Sequence, residues 1–360
     1  MGHRFSRLLL LARGLITNRD HPDLGSLAAE DDPERFVWRV LPHAARSFAA
    51  SIVILPAEKA RASAVAYLYS RILDTYEDLY PDTEQRGKRL DDFARRFEGG
   101  RLTRPVPIPD TLARDDRDRL HLLLVDRCGL VDVVYRSLST DVQRSIADLV
   151  RSMADGMVWS TDRFACQGGV LNNGEQVTHY CRNVIGNPVL FALGLIGGKV
   201  PTAAVERDAF AVGEMIQLAN ITRDVEKDLA RGIGYHPALK PYLGNVGDAT
   251  KIRETIQRVR DELVARALSL VPAYRRLLGG FEQAVAVRTA AVLMLGFTEL
   301  HYRGCVARSG REPWRGPSGS FQVVLQAIPS LLSVRWARHT IERIETEFLR
   351  AATLLESHPA

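Results

Sequence analysis

The sequence predicts an all-α protein, and three observations support that fold class. Apolar residues recur at three- and four-residue intervals over four long segments, which are 57–78, 141–160, 209–230 and 252–271. No segment alternates apolar and polar residues, as a β-strand would, over more than a few positions. The segments are separated by short stretches rich in Gly, Pro or Asn, and none of these is a long linker. We therefore expect one helical domain, residues 36–360, after an N-terminal extension, residues 1–35.

The extension contains the apolar run RLLLLARGLI at residues 7–16. This run is short, is interrupted by Arg13 and lacks the small-residue cleavage site of a secretory leader. No stretch of the chain approaches the ~18 consecutive apolar residues of a membrane-spanning helix. We expect the run to form an amphipathic helix that lies against the protein body or against a membrane surface.

The amino-acid composition indicates which kind of partner the protein binds and in which compartment it lies. The net charge of +5 and the pI near 9.1 favour an anionic partner. Lys and Arg are scattered among Asp and Glu, without a dense basic run and interleaved aromatic residues, so we expect no nucleic-acid partner. The four cysteines show no CxxC spacing, which argues against a zinc site and a disulfide framework. We expect a reduced, cytoplasmic compartment.

The first unusual motif is RILDTYED at residues 71–78, at the end of an apolar helical segment. Residues three and four positions apart share a helix face, so Asp74, Glu77 and Asp78 converge, with Arg71 one turn earlier. Three carboxylates on one face repel each other unless a cation neutralises them. Taken alone, the motif also fits a solvated helix end on which Arg71 pairs with an acid.

A second motif, NITRDVEKD at residues 220–228, repeats this combination about 150 residues later. Asn220, Asp224 and Asp228 follow one another at four-residue steps, and Arg223 lies beside the first aspartate. Carboxylate and amide oxygens suit Mg²⁺, which takes its remaining ligands from water and substrate phosphates. We expect the two clusters to face each other and to hold Mg²⁺ around a diphosphate, with the arginines as phosphate clamps. A di-metal oxidase is a poor fit, because neither helix has a Glu-x-x-His pair.

At these residues the chain resembles the squalene and phytoene synthases, the head-to-head branch of the class I isoprenoid synthases. DTYED is similar to the first aspartate-rich motif of that family and NITRDVEKD to the second. Three further segments are similar to family motifs, and they are ARSFAASI at 45–52, AYLYSRILD at 66–74 and HYCRNVIGNP at 179–188. The resemblance runs from about residue 40 to 240, and RILDTYED and ARSFAA are more similar to squalene synthases than to phytoene synthases.

The resemblance implies a class I isoprenoid synthase helical bundle with a central active-site cavity. It also implies Mg²⁺-dependent condensation of two prenyl diphosphates, here farnesyl diphosphate, to presqualene diphosphate and then, with NADPH, to squalene. Tyr180 matches the catalytic tyrosine, which is expected to act together with Arg71 and Arg223. The expected metal ligands are Asp74, Glu77, Asp78, Asn220, Asp224 and Asp228. The expected substrate-binding residues are Arg46, Ser47, Phe48, Tyr67, Val184, Gln217 and Lys227. Arg308 and Arg311 lie in a segment, 303–316, that resembles the basic flap at the NADPH site.

Three positions depart from the family pattern. Lys227 replaces the glutamate of the second motif, Ile233 stands where a phosphate-binding arginine is common, and Ala45 replaces a serine of the first segment. We expect Lys227 to supply the missing cation to the diphosphate. The departures keep open a phytoene, dehydrosqualene or presqualene diphosphate synthase, or a cyclase that acts on one prenyl diphosphate. A non-catalytic member is a further alternative, although such a protein should have lost its acids. Amphiphilic substrates also fit peripheral association with a membrane.

Overall fold

The structure of the protein is a computed structural model. It describes residues 21–45, 47–80, 83–98, 102–198, 201–311 and 314–357, and the side chains of residues 47, 83 and 84 are outside that description. The predicted amphipathic helix at 7–16 therefore lies outside the described residues, as do Arg46 and the side chain of Ser47.

The chain divides into two units, Met1–Thr161 and Asp162–Ala360. The helices of the first unit are α1 (Leu24–Ala28), α2 (Pro33–Ala45), α3 (Ser47–Ile54), α4 (Ala57–Leu79), α5 (Thr83–Arg95), α6 (Asp116–Asp126), α7 (Cys128–Arg136) and most of α8 (Thr140–Gln167). The described part of either unit contains no β-strand, only the isolated bridge between Val170 and Gly234. The all-α prediction is confirmed.

Helix α4 carries the first acidic motif. The helix starts directly after Pro56, and it ends where Tyr80 turns to an extended conformation. Val65, Leu68 and Ile72 lie on its buried face, each fully shielded from solvent. Burial of such a side chain stabilises the fold by about 1.5 to 3 kcal/mol, so packing of this face fixes the rotation of the helix about its axis. The opposite, polar face is thereby held in one orientation.

A buried polar network connects α4 to α7. The Arg96 guanidinium lies 2.6 Å from the Asp132 carboxylate, and the Tyr69 hydroxyl donates a hydrogen bond of 2.8 Å to the other Asp132 oxygen. Arg96 and Asp132 are both almost fully buried, so removing either partner would leave an uncompensated charge. The network locks α4 against α7 at Tyr69, two residues before the acidic motif begins at Arg71.

The helices of the second unit are α9 (Gly174–Cys181), α10 (Asn187–Gly197), α11 (Ala203–Ala230), α12 (Ala249–Ser269), α13 (Val271–Gly279), α14 (Val285–Arg308), α15 (Ser320–Ala327) and α16 (Val334–Glu356). Helices α9 and α10 are joined by a π-helical turn, Arg182–Gly186. Pro188 provides a reason for this turn, because proline has no N–H to bond the carbonyl four residues earlier.

Helix α11, which carries the second acidic motif, packs against the π-helical turn through two glycines. A Cβ atom on Gly213 would overlap the backbone of Gly186, and a Cβ atom on Gly186 would lie 2.8 Å from the Phe210 ring. Only glycine permits so close an approach of the two backbones. The contact therefore sets α11 against the segment that carries Tyr180.

Three sequence expectations are refined by the structure. The helix predicted over 141–160 extends to Gln167, and the helix predicted over 209–230 begins at Ala203. The segment 303–316, which resembles a basic flap, is helical in its first part, because residues 303–308 continue helix α14 and Cys305 and Val306 extend its buried face. The division of the chain into an extension and one domain stays a prediction.

Two features bear on compartment and membrane. All four cysteines are unpaired, and only Cys166 is exposed. Among the residues that the structure describes, no helix is both long enough and apolar enough to cross a membrane.

Candidate active site

The first acidic motif lies at the end of α4, as predicted. The Arg71 guanidinium lies 3.0 Å from an Asp74 carboxylate oxygen, and both side chains are mostly buried, with 17% and 22% of their surface exposed. A second Arg71 nitrogen donates a hydrogen bond of 2.9 Å to the Tyr67 hydroxyl. The Tyr67 ring also contacts the Phe48 ring, with 5.8 Å between the ring centroids. The motif thus begins with an arginine that is held by both an acid and a phenol.

Burial and crowding disfavour the charged form of two carboxylates of this motif, Asp74 and Glu77. Burial raises the pKa of Glu77 to about 8, and the neighbouring charges of Asp78 and Asp74 add to the rise. A hydrogen bond of 3.0 Å from the Ser160 hydroxyl to Glu77 opposes it. Burial likewise raises the pKa of Asp74, although the Arg71 charge opposes the shift. A crowded, buried carboxyl group with a raised pKa would be relieved by a divalent cation.

The sequence reasoning missed three arginines that act on these carboxylates from outside α4. The charge of Arg117 lowers the pKa of Asp74, and that of Arg86 lowers the pKa of Glu77. The pKa of Arg114 is raised, first by its hydrogen bond to Asp118 and in part by the Asp78 charge. Arg114 and Arg117 belong to the mixed-charge sequence RDDRDR at residues 114–119. Such a sequence is typical of a solvent-exposed helix start, so it gave no indication of a site.

The second acidic motif lies near the end of α11. The Arg223 guanidinium contacts an Asp224 oxygen at 2.6 Å, and a second nitrogen donates to the Asn220 amide oxygen at 3.1 Å. The Asn220 amide donates in turn to Gln217, which is buried, at 3.0 Å. Arg223 and Asp224 are more exposed than the first arginine and acid, at 44% and 37% of their side-chain surface. The predicted ligands Asn220 and Asp224 are thus joined through one arginine.

Asp228, the last acid of the second motif, has a cation beside it that the sequence reasoning did not single out. The Arg231 guanidinium lies 3.9 Å from an Asp228 oxygen, and both side chains are mostly buried. Lys227 is exposed. The preceding acid, Glu226, contacts the buried Arg260 at 2.5 Å.

Tyr180 lies in an aromatic cluster near the end of α9 and is 6% exposed. The Tyr235 hydroxyl donates a hydrogen bond of 3.2 Å to the Tyr180 oxygen, and the two ring centroids lie 5.1 Å apart. The Phe164 ring meets both tyrosines edge-on, at 6.4 and 5.6 Å. Tyr235 is a candidate site residue that sequence reasoning missed, because it lies 55 positions from Tyr180 in the chain.

A backbone bridge places Tyr235 beside Tyr180. The Leu171 N–H donates to the Gly234 carbonyl at 3.0 Å, and the Gly234 N–H donates to the Gly169 carbonyl at 2.8 Å. Gly169 has a φ of +90°, and a Cβ atom there would overlap the Gly232 carbonyl oxygen. The close approach therefore requires glycine at position 169. The short parallel bridge fixes the position of the chain after helix α11, and with it the position of Tyr235.

One arginine anchors the helix that carries Tyr180. Arg266 of α12 contacts the buried carboxylate of Glu214 at 2.7 Å. The same guanidinium donates to the Gly174 carbonyl at 3.0 Å and to the Thr178 hydroxyl. Both acceptors belong to α9, so the guanidinium joins three helices, α9, α11 and α12, through one buried ion pair.

With this geometry described, comparison with known proteins identifies the family. A model of the squalene/phytoene synthase family matches residues 41–308, a span that contains both acidic motifs and Tyr180. The chain belongs to the squalene/phytoene synthase family.

Curated members of the squalene/phytoene synthase family are distant relatives. Human squalene synthase is 26% identical over 242 residues, which are 65% of this chain and 55% of the human protein. Squalene synthase ERG9 of Candida albicans is 27% identical over 246 residues, covering 65% of this chain and 53% of that protein. Phytoene synthase 2, chloroplastic, of Solanum lycopersicum is 33% identical over 112 residues, or 29% of this chain and 34% of that protein. The match spans only about half the length of the squalene synthases.

Solved structures identify the fold. A structure of TcSQS with the ligand BPH1237 superposes with a TM-score of 0.66 at 20% identity, covering 91% of this chain and 100% of the other. A structure of TcSQS with the ligand E5700 gives a TM-score of 0.59, with the same identity and coverage. The chain therefore has the all-α class I isoprenoid synthase fold, as the family resemblance predicted.

Ile233, one of the three positions that depart from the family pattern, has a backbone role in the structure. Its N–H donates to the Asp228 carbonyl at 2.9 Å, directly before the Gly234 bridge. Ile233 brings no charge to this turn, whereas Arg231, two residues earlier, directs its guanidinium to Asp228. Arg231 is thus a second candidate, beside Lys227, for the cation that the family pattern places at residue 233.

Several predicted substrate-binding residues lie on apolar surfaces. Phe48 and Tyr67 are half-buried, and Val184 is 9% exposed on the π-helical turn. Helix α10 follows that turn with the sequence NPVLFALGLIG, yet none of its residues is fully buried. A helix so rich in apolar residues normally buries one face, so α10 offers a partly exposed apolar surface that an isoprenoid chain could cover.

The two arginines predicted to contact NADPH lie at the end of α14 and just after it. An Arg308 nitrogen lies 3.1 Å from the Cys305 sulfur, and Arg311 donates to the Leu354 carbonyl of α16 at 2.5 Å. Residues 312 and 313 of the same segment are outside the described residues. The NADPH site stays a prediction.

No preassembled metal site is visible in the described part of the chain, since no three His, Cys, Asp or Glu side chains lie close enough together to hold an ion. The donor set nevertheless fits Mg²⁺. Its predicted ligands are oxygens, and burial and crowding raise the pKa of Glu77, as a site that lacks its cation would show. The Mg²⁺ site stays a prediction.

Proposed function

We propose that this chain catalyses the Mg²⁺-dependent head-to-head condensation of two farnesyl diphosphates to presqualene diphosphate and then, with NADPH, to squalene, in the cytoplasm. One observation supports this most strongly. A family motif in each of the two units pairs an arginine with an acid, Arg71 with Asp74 at 3.0 Å and Arg223 with Asp224 at 2.6 Å. Ionisation of an allylic diphosphate needs cations on the leaving group, and these motifs provide both metal ligands and guanidinium groups.

In this proposal the metal ligands are five carboxylates and one side-chain amide. They are Asp74, Glu77, Asp78, Asn220, Asp224 and Asp228. When bound, Mg²⁺ would neutralise the diphosphate oxygens and assist their departure. Glu77 would lose its proton on binding the ion, because only the ionised carboxylate is a good ligand. Ser160 would still donate its hydrogen bond to that carboxylate, which favours the ionised form.

Arg71 and Arg223 would bind the diphosphate directly. A guanidinium presents a planar fork of N–H donors that matches two phosphate oxygens. In the structure these donors contact Asp74 and Asp224, so the acids would orient both arginines for substrate. Tyr67 adds a third contact to Arg71 at 2.9 Å, which limits its rotamers further.

Tyr180 would assist removal of the proton that is lost when the cyclopropane ring forms. Its hydroxyl lies within hydrogen-bond distance, 3.2 Å, of the Tyr235 hydroxyl, which would hold the Tyr180 side chain in place for this role. The aromatic rings of Phe164 and Tyr235 pack against the Tyr180 ring, with centroids 6.4 and 5.1 Å away. Tyr235 is therefore a positioning residue in the proposed reaction.

Carbocations need dry, apolar walls so that water does not quench them. Phe48, Tyr67 and Val184 would contribute such walls, together with the partly exposed surface of α10. Burial of a fifteen-carbon chain could supply up to about 12 kcal/mol at ~0.8 kcal/mol per carbon. That energy would hold the substrate tail while the diphosphate is activated.

The departures from the family pattern at Lys227 and Ile233 favour a second candidate, in which the same site forms a different product. A changed cation set beside Asp228 could end the reaction at presqualene diphosphate or dehydrosqualene, suit a longer substrate to give phytoene, or cyclise one prenyl diphosphate. Arg308 and Arg311 would contact NADPH only if the reaction continues to squalene. A non-catalytic role is disfavoured by the retained acids of both motifs.

The deciding experiment incubates the purified protein with farnesyl or geranylgeranyl diphosphate and Mg²⁺, with and without NADPH, and identifies products by mass spectrometry. We expect presqualene diphosphate without NADPH and squalene with it. No consumption of either diphosphate would refute the enzyme proposal. A product profile that does not respond to NADPH would refute the squalene assignment alone.

A further inference from the structure

One surface of the second unit is unusually rich in exposed apolar side chains. Among the described residues, ten large apolar side chains are exposed, and five of them lie within the sixteen-residue segment 321–336. The five are Phe321, Leu325, Ile328, Leu332 and Trp336, with exposed fractions of 66, 48, 48, 91 and 43%. These five residues form what we call the 321–336 patch, and isolated exposed apolar residues elsewhere need no such explanation.

The spacing places the patch residues along one side of a helical hairpin. Phe321, Leu325 and Ile328 follow at steps of four and three, so they share a face of α15 and the 3₁₀ turn Ile328–Leu331. Trp336 lies in the first turn of α16, and its indole N–H donates to the Gln326 carbonyl at 3.1 Å. That hydrogen bond brings the start of α16 beside the end of α15, so Trp336 lies next to the helix that carries Phe321 and Leu325. Leu332 lies in the turn between the two helices.

The exposure of Leu332 is built into the fold. The buried Arg288 of α14 donates to the Ser330 carbonyl at 2.6 Å and to the Leu331 carbonyl at 3.2 Å. The buried Ser330 hydroxyl donates to Thr289 at 3.0 Å. A turn held by a buried guanidinium is rigid, so Leu332 is presented to solvent in a fixed position and binds a partner at little cost in conformational entropy.

The charged residues within the segment that carries the patch are all positive. Residues 320–340 include no Asp or Glu, although Asp and Glu make up 43 of the 360 residues of the chain. Arg335, Arg338 and His339 are exposed in the same segment. Arg338 contacts Glu282 at 2.6 Å, whereas Arg335 makes no ion pair within the part of the chain that the structure describes. The patch therefore combines exposed apolar side chains with an unneutralised cation.

We propose that the 321–336 patch docks on the surface of an anionic lipid bilayer. The apolar side chains would enter the boundary between headgroups and acyl chains, Trp336 would lie at the headgroup level, and Arg335 would contact lipid phosphates. An interface between two copies of this chain fits less well. A two-fold interface through the patch would place the cationic segment 320–340 of one copy against that of the other, with no acid in either segment to pair with Arg335 and His339.

The proposal does not depend on the prenyl diphosphate reaction, so a binding assay tests it separately. The full chain is sedimented with vesicles of phosphatidylcholine and with vesicles that also contain phosphatidylglycerol. We expect binding to the anionic vesicles and a blue shift of tryptophan emission that Trp336→Phe removes. Leu332→Glu should weaken partitioning by about tenfold or more, since it removes a leucine side chain from the apolar contact.

Matched variants separate this surface from other membrane contacts. Arg335→Glu should weaken binding to the anionic vesicles only. Leu349→Glu alters a residue that is 39% exposed on the same helix α16 but outside the patch, and it should bind like the unmodified protein. Because Leu332 and Arg335 are exposed, both variants should keep the unmodified circular dichroism spectrum.

Three results would overturn the proposal. The first is no binding of the unmodified protein to either vesicle. The second is unchanged binding of Leu332→Glu, which would assign the contact to another part of the chain, such as residues 1–20. The third is a lipid-free sedimentation experiment in which Leu332→Glu converts a dimer to a monomer, which would assign the patch to a second copy.

Discussion

The Arg71 guanidinium lies 3.0 Å from the Asp74 carboxylate, one helical turn apart on α4. Arg223 and Asp224 form a similar contact on α11 at 2.6 Å. In both helices an arginine neutralises an acid that the proposed function assigns to Mg²⁺. Each motif thus holds its cationic and anionic groups in place before any ligand binds, and this gives specific consequences for substitutions in and around the motifs.

Arg71→Lys keeps the charge of residue 71 but removes the planar fork. We expect kcat/KM for farnesyl diphosphate to fall roughly 100-fold, because a lysine cannot contact Asp74, Tyr67 and two phosphate oxygens with fixed geometry. The matched control is Arg95→Lys, since Arg95 pairs with Asp91 at 2.8 Å on an exposed helix surface. Equal activity of the two variants would contradict a direct role for Arg71.

Glu77→Gln should stabilise the metal-free protein and inactivate it. The folded protein holds the Glu77 proton up to a pKa of about 8, whereas the unfolded chain loses it near 4.5. The stability of the unmodified protein therefore falls as pH rises from 4.5 to 8, and Glu77→Gln removes that loss. Above pH 8 we expect a gain of about 2 to 4 kcal/mol in the free energy of unfolding.

Urea unfolding in the presence of a chelator measures this difference. Glu175→Gln, at an exposed position of α9, is the control and should leave the pH profile of stability unchanged. If Glu77→Gln is no more stable than the unmodified protein above pH 8, Glu77 is not the strained carboxyl that we describe.

Tyr235→Phe tests the hydroxyl pair. We expect kcat to fall about tenfold with little change in KM, because the variant loses a group that orients Tyr180 but not one that binds substrate. Tyr180→Phe should cost at least as much. Tyr274→Phe removes a buried hydroxyl that donates to the Ala291 carbonyl at 2.7 Å, so it should lower stability without this effect on kcat. A purely structural Tyr235 would behave like Tyr274.

Two cations compete for the role of the missing family arginine. Lys227→Glu should lower turnover about tenfold if Lys227 contacts the diphosphate. Unchanged or improved kinetics would reject Lys227 and leave Arg231, which lies 3.9 Å from Asp228. Arg231→Gln, measured beside Lys227→Gln, then shows which cation raises KM for the diphosphate when it is removed.

Local periodicity made much of the fold predictable from the sequence. Helix α4 was expected over 57–78 and spans Ala57–Leu79, because the apolar face of one long helix can be counted directly from the sequence. The same rule placed Asp74 and Arg71 on one face, and likewise Asn220 and Asp224. These are contacts within one helix, so no tertiary information was needed.

Contacts between distant segments could not be predicted in this way. Tyr235 reaches Tyr180 only because a short bridge joins the chain at Gly169 and Gly234. Arg117 acts on Asp74 from a different helix, and its sequence looks like an exposed helix start. The π-helical turn at Arg182–Gly186 likewise depends on Pro188 together with close packing at Gly213. Each feature requires knowledge of which helices pack together.

The central claim is that the two acid and arginine motifs act on the same diphosphate. Release of inorganic pyrophosphate from farnesyl diphosphate tests it most directly, measured for the unmodified protein, Asp74→Asn, Asp224→Asn and the double variant. The account predicts Mg²⁺-dependent release that falls at least 100-fold in each single variant and little further in the double variant, as for residues that act as a unit. Independent, multiplying losses, or release that neither substitution affects, would contradict it.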